Sequence, residues 1–503
     1  MNLRDLPPRP SPSPSQPRLA RFVLQGRRQR SKARRLSQAT SLASLLLALA
    51  GCASYTPRPL AAAPDSAPAL RQLRVDAHSI PLPRLAAERV DLDRPLPMGA
   101  VAALAVLNNP QLRVARDRLG VARAQAFAAG LLPDPRFSAS RDFPGNSAGA
   151  TSTAFSYGLD FDLGRLLTRP QAQAAARAHV RSVDLDLLWQ EWQTASQAQL
   201  LYVRLVGLHT RARLLRSELA LARVQLQRSR AAVAAGDLPR TDADAQLVRL
   251  QALRQRRDAQ QRLRVQLQAQ LHALLGLAPG APLRLAGMPR IPAGSEQGVR
   301  DALARIADIR PDLRALRAGY DSQQHKLREA VLSQFPSISV GFTRARDTTD
   351  VNTIGFGVSF TLPLFNGSRG RIAVQHATRR ELRDAYQIRL DQTRADVERA
   401  LADLAVLQRQ QSQLRAGLPT LRAAARAAQV ALQRDEITLP QALAQRQALL
   451  DQRLALQRVR QQQAEQAVTL DLLTGTGLYG AAPRTPPARP SAPPSTDPRR
   501  LRS

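Results

Sequence analysis

Two carboxylates in one short stretch are where acid–base chemistry would first be sought in this 503-residue sequence. Asp160 and Asp162 are two residues apart, so a strand would place both side chains on the same face. Carboxylates this close can divide the roles of proton donor and proton acceptor. The same face carries Ser156 and Gly158. A solvated wall explains this set of small and acidic residues better than a catalytic pair does.

Motifs for other chemistry are missing from the sequence. The chain has no H-E-x-x-H, Walker-type loop, nucleophile elbow or C-x-x-C motif. Its 6 histidines and 3 methionines show no metal-ligand spacing. We therefore predict that the protein is not an enzyme and that it holds no cofactor or metal.

The element that must position the two carboxylates is a strand with one apolar face. Between Ala154 and Leu163 the apolar residues occupy every second position, at Phe155, Tyr157, Leu159, Phe161 and Leu163. Strict alternation is typical of a strand. An apolar outer face of about ten residues opposite a polar inner face is typical of strands that cross a bilayer in a β-barrel. Asp160 and Asp162 are then predicted to face a lumen.

This pattern occurs twice in the chain. Strands are predicted at about 136–142 and 154–163, and again at about 337–345 and 353–363, which makes two hairpins. A half-buried strand in a soluble sandwich would show the same alternation. The long helices that follow each hairpin favour the barrel.

The predicted helices are longer than a globular domain requires. One runs from about Pro170 to Ala235 with apolar residues at coiled-coil spacing, and at 1.5 Å per residue it measures about 100 Å. A turn at Gly236 reverses it, and a return helix ends at Gly276. A second long helix, about 370–434, is followed by a return helix at about 441–473.

The whole plan repeats about 200 residues later. Residues 109–113 mirror residues 310–314 and Leu238-Pro239 mirrors Leu439-Pro440 at a separation of 201, while Gly475 mirrors Gly276 at 199. Chance does not hold such register across helices, hairpin and turn. We divide the chain into an N-terminal extension with a signal peptide (1–51), an extended segment (52–98), two repeats (99–288 and 299–475) and a Pro-rich disordered tail (476–503).

The single cysteine ends an apolar run near the N-terminus. Arg34 and Arg35 precede the apolar residues 45–49, and small residues lead to Cys52, which is the pattern of a signal peptide. The stretch L-A-G-C resembles a bacterial lipobox, in which the cysteine receives diacylglycerol. We predict cleavage before Cys52, lipid attachment to it and, with Ala53 next, sorting to the outer membrane. The alternative is a buried free thiol.

The formal net charge of +34 is almost entirely arginine, because the only lysines are Lys32 and Lys326. The arginines are spread over the helices, with no basic patch interleaved with aromatic residues. Nucleic-acid binding is therefore disfavoured.

Together these features resemble the TolC-like family of outer-membrane efflux factors over about residues 99–475. The resemblance is carried by L-A-G-C, by L-L-P-D-P-R-F-S from Leu131, by L-P-L-F-N-G-S-R-G-R from Leu362 and by the two turns between long helices. It implies a mostly α chain with a transmembrane β-barrel part, in which a homotrimer closes a twelve-strand barrel and a helical periplasmic tunnel. Four strands cannot close alone, and open edges are excluded from lipid.

The resemblance also implies partners, namely a periplasmic adaptor and an inner-membrane pump. The phrases P-D-P-R-F-S and R-P-D-L-R-A-L favour the cation-efflux branch, whose pumps are of the RND type. The residues at the predicted adaptor-contacting tips are Gly236, Asp237, Leu238, Asp242, Thr438 and Leu439. Asp242 is expected to cap its helix. The second turn has lost the glycine, so equal adaptor contact by both turns is in question.

Two other functions are open at this point. The chain could be the outer-membrane conduit of a polypeptide secretion system, or a lipid-anchored periplasmic coiled-coil scaffold or adaptor.

Overall fold

The computed structural model of the protein describes residues 55–145, 152–288 and 296–475. The predicted signal peptide, Cys52 and the Pro-rich tail lie outside the described residues. The chain divides into two units. Of the first, Met1–Asp65, residues 55–65 are described and carry no regular element. All helices and strands given below belong to the second, Ser66–Ser503.

The second unit is mostly helical, as predicted. Before the first hairpin lie α1 (Pro83–Ala86), α2 (Met98–Asn108) and α3 (Pro110–Gly130). The hairpin is β1 (Arg136–Asp142) and β2 (Ala154–Asp162), followed by α4 (Leu163–Ala234) and α5 (Arg240–Leu275). The second half contains α6 (Glu296–Ala304), α7 (Ile306–Ile309), α8 (Pro311–Leu332), β3 (Ile338–Arg346), β4 (Asn352–Phe360), α9 (Arg369–Gln433) and α10 (Leu439–Thr474).

Helix starts follow from local chemistry. The Asn109 side chain accepts hydrogen bonds from the Gln111 and Leu112 amides at 2.8 and 3.1 Å, and Pro110 takes the first helical position of α3. The cap satisfies two amides that the helix leaves unpaired, and proline has no amide to lose there. Asn109 and Pro110 therefore separate α2 from α3.

The long helix α4 begins at Leu163, seven residues before the predicted start at Pro170. The Asp162 side chain accepts a hydrogen bond from the Arg165 amide at 3.2 Å and caps the helix directly after β2. Pro170 lies inside the helix. Pro170 is the eighth helical residue, where a proline removes one i→i−4 hydrogen bond. The helix nevertheless continues through it, and the cap at Asp162 sets the boundary.

The four strands form one antiparallel sheet in the order β1-β2-β3-β4. Within each hairpin the strands pair with their neighbour, and β2 also pairs with β3, with Leu159 opposite Phe342. The two hairpins are thus joined inside one chain. The strands at the edges of this sheet are β1 and β4.

The core follows the long helices. Near the middle of the unit, Leu104 of α2, Tyr202 of α4 and Leu271 of α5 share one buried cluster. Smaller clusters follow toward the turns, one between α4 and α5 around Leu219 and one between α9 and α10 around Leu449. Among the described residues, no helix combines the length and the hydropathy that crossing a membrane requires.

Candidate functional site

The sheet has one apolar and one polar face. Residues paired across neighbouring strands point to the same side, so the register assigns every strand residue to a face. Near mid-strand the apolar face carries Phe137, Leu159, Phe342 and Phe356 in one row. Each of the three phenylalanines is at least 60% exposed. Leu159 itself is 48% exposed. A single chain therefore leaves a broad aromatic surface uncovered.

The polar face carries Asp160. Its carboxylate lies beside two glycines, because a Cβ on Gly341 would stand in contact with Oδ1 of Asp160 and a Cβ on Gly158 would lie 3.9 Å from Oδ2. Ser138, opposite Gly158, shares this face. The glycines leave the space that the carboxylate occupies.

Asp162 has a different place from Asp160. It ends β2 and caps α4, and its carboxylate lies 3.5 Å from the Arg165 guanidinium. The two carboxylates therefore do not act as a pair: one lies on the sheet and the other fixes the junction between sheet and helix. The sequence pattern showed their shared face but not the cap.

The reversal turns after α4 and α9 have the same pattern of backbone hydrogen bonds. In the first, the Gly236 and Asp237 amides donate to the carbonyls of Val233 and Ala232 at 3.1 and 2.8 Å. In the second, the Asp435 and Glu436 amides donate to the carbonyls of Leu432 and Ala431 at 3.3 and 2.9 Å. Both are helix ends of the Schellman type.

A left-handed residue closes each of these turns. Gly236 has φ of 84° and Asp435 has φ of 56°. Aspartate is one of the few residues other than glycine that tolerates this conformation. The loss of the glycine in the second copy therefore changes the residue and keeps the turn.

This geometry corrects the pairing of the two repeats at the turns. The helix ends and the following helix starts are each 199 residues apart, so Ile437, not Leu439, is the counterpart of Leu238. The pairing of Leu238-Pro239 with Leu439-Pro440 at 201 is wrong by two residues, because a shared Leu-Pro pair outweighed the turn geometry. Leu238 and Ile437 are both half-buried, whereas Asp237 is exposed.

The helices after the turns start differently from each other. Thr438 caps α10 in a capping box, in which Oε1 of Gln441 accepts from the Thr438 amide at 2.9 Å, and Leu439 is the first helical residue. In the first copy the residue before the helix is Pro239, and no side chain caps α5. Asp242 lies in the first turn of α5, so the expected cap is wrong, although its charge still favours a helix N-terminus.

Helix α4 separates the sheet from the first turn. Its 72 residues rise about 108 Å. The second long helix, α9, does the same over 65 residues. Each hairpin and the turn that follows it therefore lie at opposite ends of a long helix.

Buried ion pairs join the helices near the turns, and sequence reasoning missed them. Glu218 of α4 is 7% exposed, and its carboxylate lies 3.8 Å from both the Arg249 guanidinium of α5 and the Arg446 guanidinium of α10. Burial lowers the pKa of Arg249, and Glu218 opposes that shift. One carboxylate thus holds three helices in register. An isolated Glu in a long coiled-coil pattern gives no sequence signal for this.

A second buried pair lies at the start of α8. The Arg310 guanidinium donates to both carboxylate oxygens of Asp312 at 2.9 and 2.6 Å and stacks 4.4 Å from the ring of Trp189. The described part of the chain contains no cluster of side chains that could hold a metal ion.

Comparison with known proteins gives a family match over the second repeat and a fold over most of the chain. Residues 302–476 match the family described as outer membrane efflux protein. No curated protein sequence matches the chain.

Solved structures share the fold over most of the chain. The outer-membrane channel OprN is 19% identical with a TM-score of 0.66 over 85% of this chain and 99% of its own. The Campylobacter jejuni CmeC outer membrane channel is 18% identical with a TM-score of 0.64, over 77% and 87%. The open state of the Neisseria gonorrhoeae MtrE outer membrane channel is 19% identical with a TM-score of 0.58, over 85% and 98%. The second repeat thus matches the outer membrane efflux protein family, and the fold of these outer-membrane channels extends over both repeats.

Proposed function

We propose that this chain is the outer-membrane channel component of a tripartite efflux system, a passive conduit for substrates that an inner-membrane pump delivers through a periplasmic adaptor. The observation that carries the proposal is the four-stranded sheet with an exposed aromatic face and free edges at β1 and β4. Lipid covers such a face, and it excludes open edges. Three chains joined edge to edge give a closed barrel of twelve strands.

The strand lengths suit a bilayer. Strands β2, β3 and β4 have 9 residues each, which rise about 30 Å. At a tilt of about 40° they cover about 23 Å along the membrane normal, close to the apolar band of about 25 Å in outer-membrane barrels. The polar face, with Asp160, then lines the lumen, and Asp162 lies at its periplasmic rim.

The long helices supply the tunnel wall. Of the 65 residues of α9, the single chain buries only Thr393, Val397, Ala400, Leu418 and Ala428. Apolar residues on its outside, such as Ile388 at 55% and Val374 at 59% exposure, are uncovered. We assign this side of α9 to the contact with the next subunit of a homotrimer.

The turns at the far ends of the helices form the adaptor-contacting tips. Gly236, Asp237 and Leu238 form the first tip, with Asp242 one helical turn beyond, and Thr438 and Leu439 lie in the second. An adaptor that packs on Leu238 biases the tip helices apart and opens the aperture, a shift between two packings. The pump is of the RND type.

The first tip has its own test. Gly236→Val places a β-branched residue at φ of 84°, where such residues are strained. We expect loss of efflux with near-normal trimer yield and outer-membrane location. Full activity of the variant would contradict the assignment of this turn to adaptor contact. Failure of the variant to assemble would show that the turn has only a structural role.

The lipid anchor at Cys52 is proposed from sequence. Intact-mass analysis of the mature protein should show cleavage before Cys52 and an added diacylglycerol. An unmodified Cys52 in membrane-bound protein would contradict lipid attachment at this residue.

The channel itself is tested by fractionation and conductance. The protein should enter the outer membrane, migrate faster in unboiled than in boiled gels, and form pores in planar bilayers. A soluble periplasmic product without heat-modifiable migration would favour the scaffold. If the cells export a polypeptide that neighbouring genes encode, and loss of this protein leaves drug and metal tolerance unchanged, the secretion system is favoured.

A further inference from the structure

The apolar face of the sheet ends in a group of arginines at the hairpin ends of the strands. Arg141 of β1 and Arg346 of β3 lie on either side of Phe155 in one row, and Arg344 lies opposite Tyr157 in the next. All three share the face of the aromatic residues. We call Arg141, Arg344 and Arg346 the arginine rim.

The position of the rim along the strands follows from the cost of charge in lipid. Arginine on a lipid-facing surface costs about 2 to 4 kcal/mol at the bilayer midplane and about 0 to 1 near the interface. On the same face, the three rows toward the helices carry Phe, Leu, Val and Ile at the paired positions. The rim therefore marks the membrane interface at the end of the barrel away from the helices.

The acidic groups nearby leave part of this charge uncompensated. Asp350 pairs with Arg346. The Asp347 carboxylate accepts from the Thr349 and Val351 amides at 2.9 Å each, which lowers its pKa. In the described part of the chain Arg344 and Arg141 form no ion pair, although Arg141 lies 5.1 Å from the ring of Phe143. The sequence 146–151 between β1 and β2 contains no acidic residue.

We propose that Arg141 and Arg344 bind the phosphate groups of outer-leaflet lipid. The two strands that carry them are separated by β2, which places their Cα atoms about 12 Å apart. Guanidinium groups form bidentate hydrogen bonds with phosphate, and their aliphatic stems lie along apolar surface while the head groups reach the interface. A lipid with more than one phosphate can meet both arginines while its acyl chains cover the aromatic rows. This inference rests on the proposed channel function.

The test measures lipid binding to the full-length protein in detergent by native mass spectrometry. The probes are a bisphosphorylated lipid A and the same lipid with its phosphates removed. We expect the wild type to bind the phosphorylated lipid about tenfold more tightly, in line with charge-assisted hydrogen bonds. In Arg141→Gln/Arg344→Gln the preference should fall below about threefold, and in Arg141→Lys/Arg344→Lys it should be intermediate, because lysine keeps the charge and loses the fork.

A matched control lies on the opposite face. Arg136 starts β1 on the polar side, opposite Asp160, so Arg136→Gln should keep the tenfold preference. A preference that inorganic phosphate at 10 mM abolishes would mean a free-anion site and would overturn the proposal, since lipid binding also uses the apolar rows.

Heat-modifiable migration of each variant separates this inference from the channel proposal. An intact barrel in which the wild type shows no preference for phosphate overturns the inference alone. A wild type that forms no barrel overturns both.

Discussion

The two repeats share a backbone plan and differ in what they bury. Helix α4 buries 25 of its 72 residues within the chain, whereas α9 buries 5 of its 65. Both are followed by a return helix of 36 residues. The first long helix is covered by α2, α3, α5, α8 and α10, while the second packs mainly on α8 and α10. The two copies share their geometry, but the first long helix packs inside the chain, and the second leaves the surface that we propose contacts a neighbouring copy.

The largest expected effect concerns the sheet, where the two copies should behave alike. Leu159 and Phe356 lie in the same mid-strand row. Arginine at either position should destabilise the inserted protein by about 2 to 4 kcal/mol, measured as loss of heat-resistant oligomer. Ser156→Arg and Ser359→Arg on the polar face are the controls and should lose less than about 1 kcal/mol. Equal tolerance on both faces would rule out a spanning sheet.

The return helices should separate the copies. Gly276 and Gly475 both end their helices with φ of 70°, but a Cβ on Gly276 would lie 2.9 Å from the backbone oxygen of Asn108, whereas at Gly475 the nearest atom is a ring carbon of Trp192 at 3.1 Å. Backbone shifts less readily than a side chain. We expect Gly276→Ala to cost about 2 to 3 kcal/mol and Gly475→Ala about 1 to 2, by thermal unfolding. Equal losses would show that left-handed strain alone decides.

A residue swap at the turns should give smaller changes of opposite sign. Asp435→Gly should stabilise the second turn by up to about 1 kcal/mol and Gly236→Asp should destabilise the first by a similar amount, because a Cβ in the left-handed region is strained. Chemical unfolding of the helical part reports both. If Asp435→Gly destabilises instead, the Asp435 side chain has a role that its backbone conformation does not explain.

The smallest expected effect is a pH dependence confined to the first copy. His272 is 8% exposed, and burial lowers its pKa. The equivalent position of the second copy, 199 residues later, is occupied by Asp471, which is also buried. The unfolded chain then binds a proton more readily than the folded one, so stability falls as pH drops below about 6.5. His272→Gln should reduce this dependence in thermal unfolding between pH 8 and 5, and His209 of α4, whose pKa burial also lowers, should supply the remainder. An unchanged slope would place the titrating group elsewhere.

Much of this architecture was readable from the sequence, since alternation and duplication leave strong periodic signals. The four strands, the long helices and the likeness to outer-membrane efflux channels followed from them. The start of α4 was not predicted correctly, because the helix begins after the cap at Asp162 and not at Pro170. The two turns were aligned two residues out of register, because the shared Leu-Pro pair does not reveal that Asp435 adopts the left-handed conformation of Gly236. The ion pairs of Glu218 with Arg249 and Arg446 were missed because they join three helices that are distant in sequence.

The central claim is that β1 of one chain pairs with β4 of the next in a ring of three. Ser138→Cys on β1 can be combined in turn with Thr353→Cys, Gly355→Cys, Gly357→Cys or Ser359→Cys on the same face of β4, with Ser138→Cys alone as the control. On oxidation in outer membranes, at least one pair should give cross-linked products that end at three chains. A protein that reaches the outer membrane yet stays a single chain in every pair would contradict the claim.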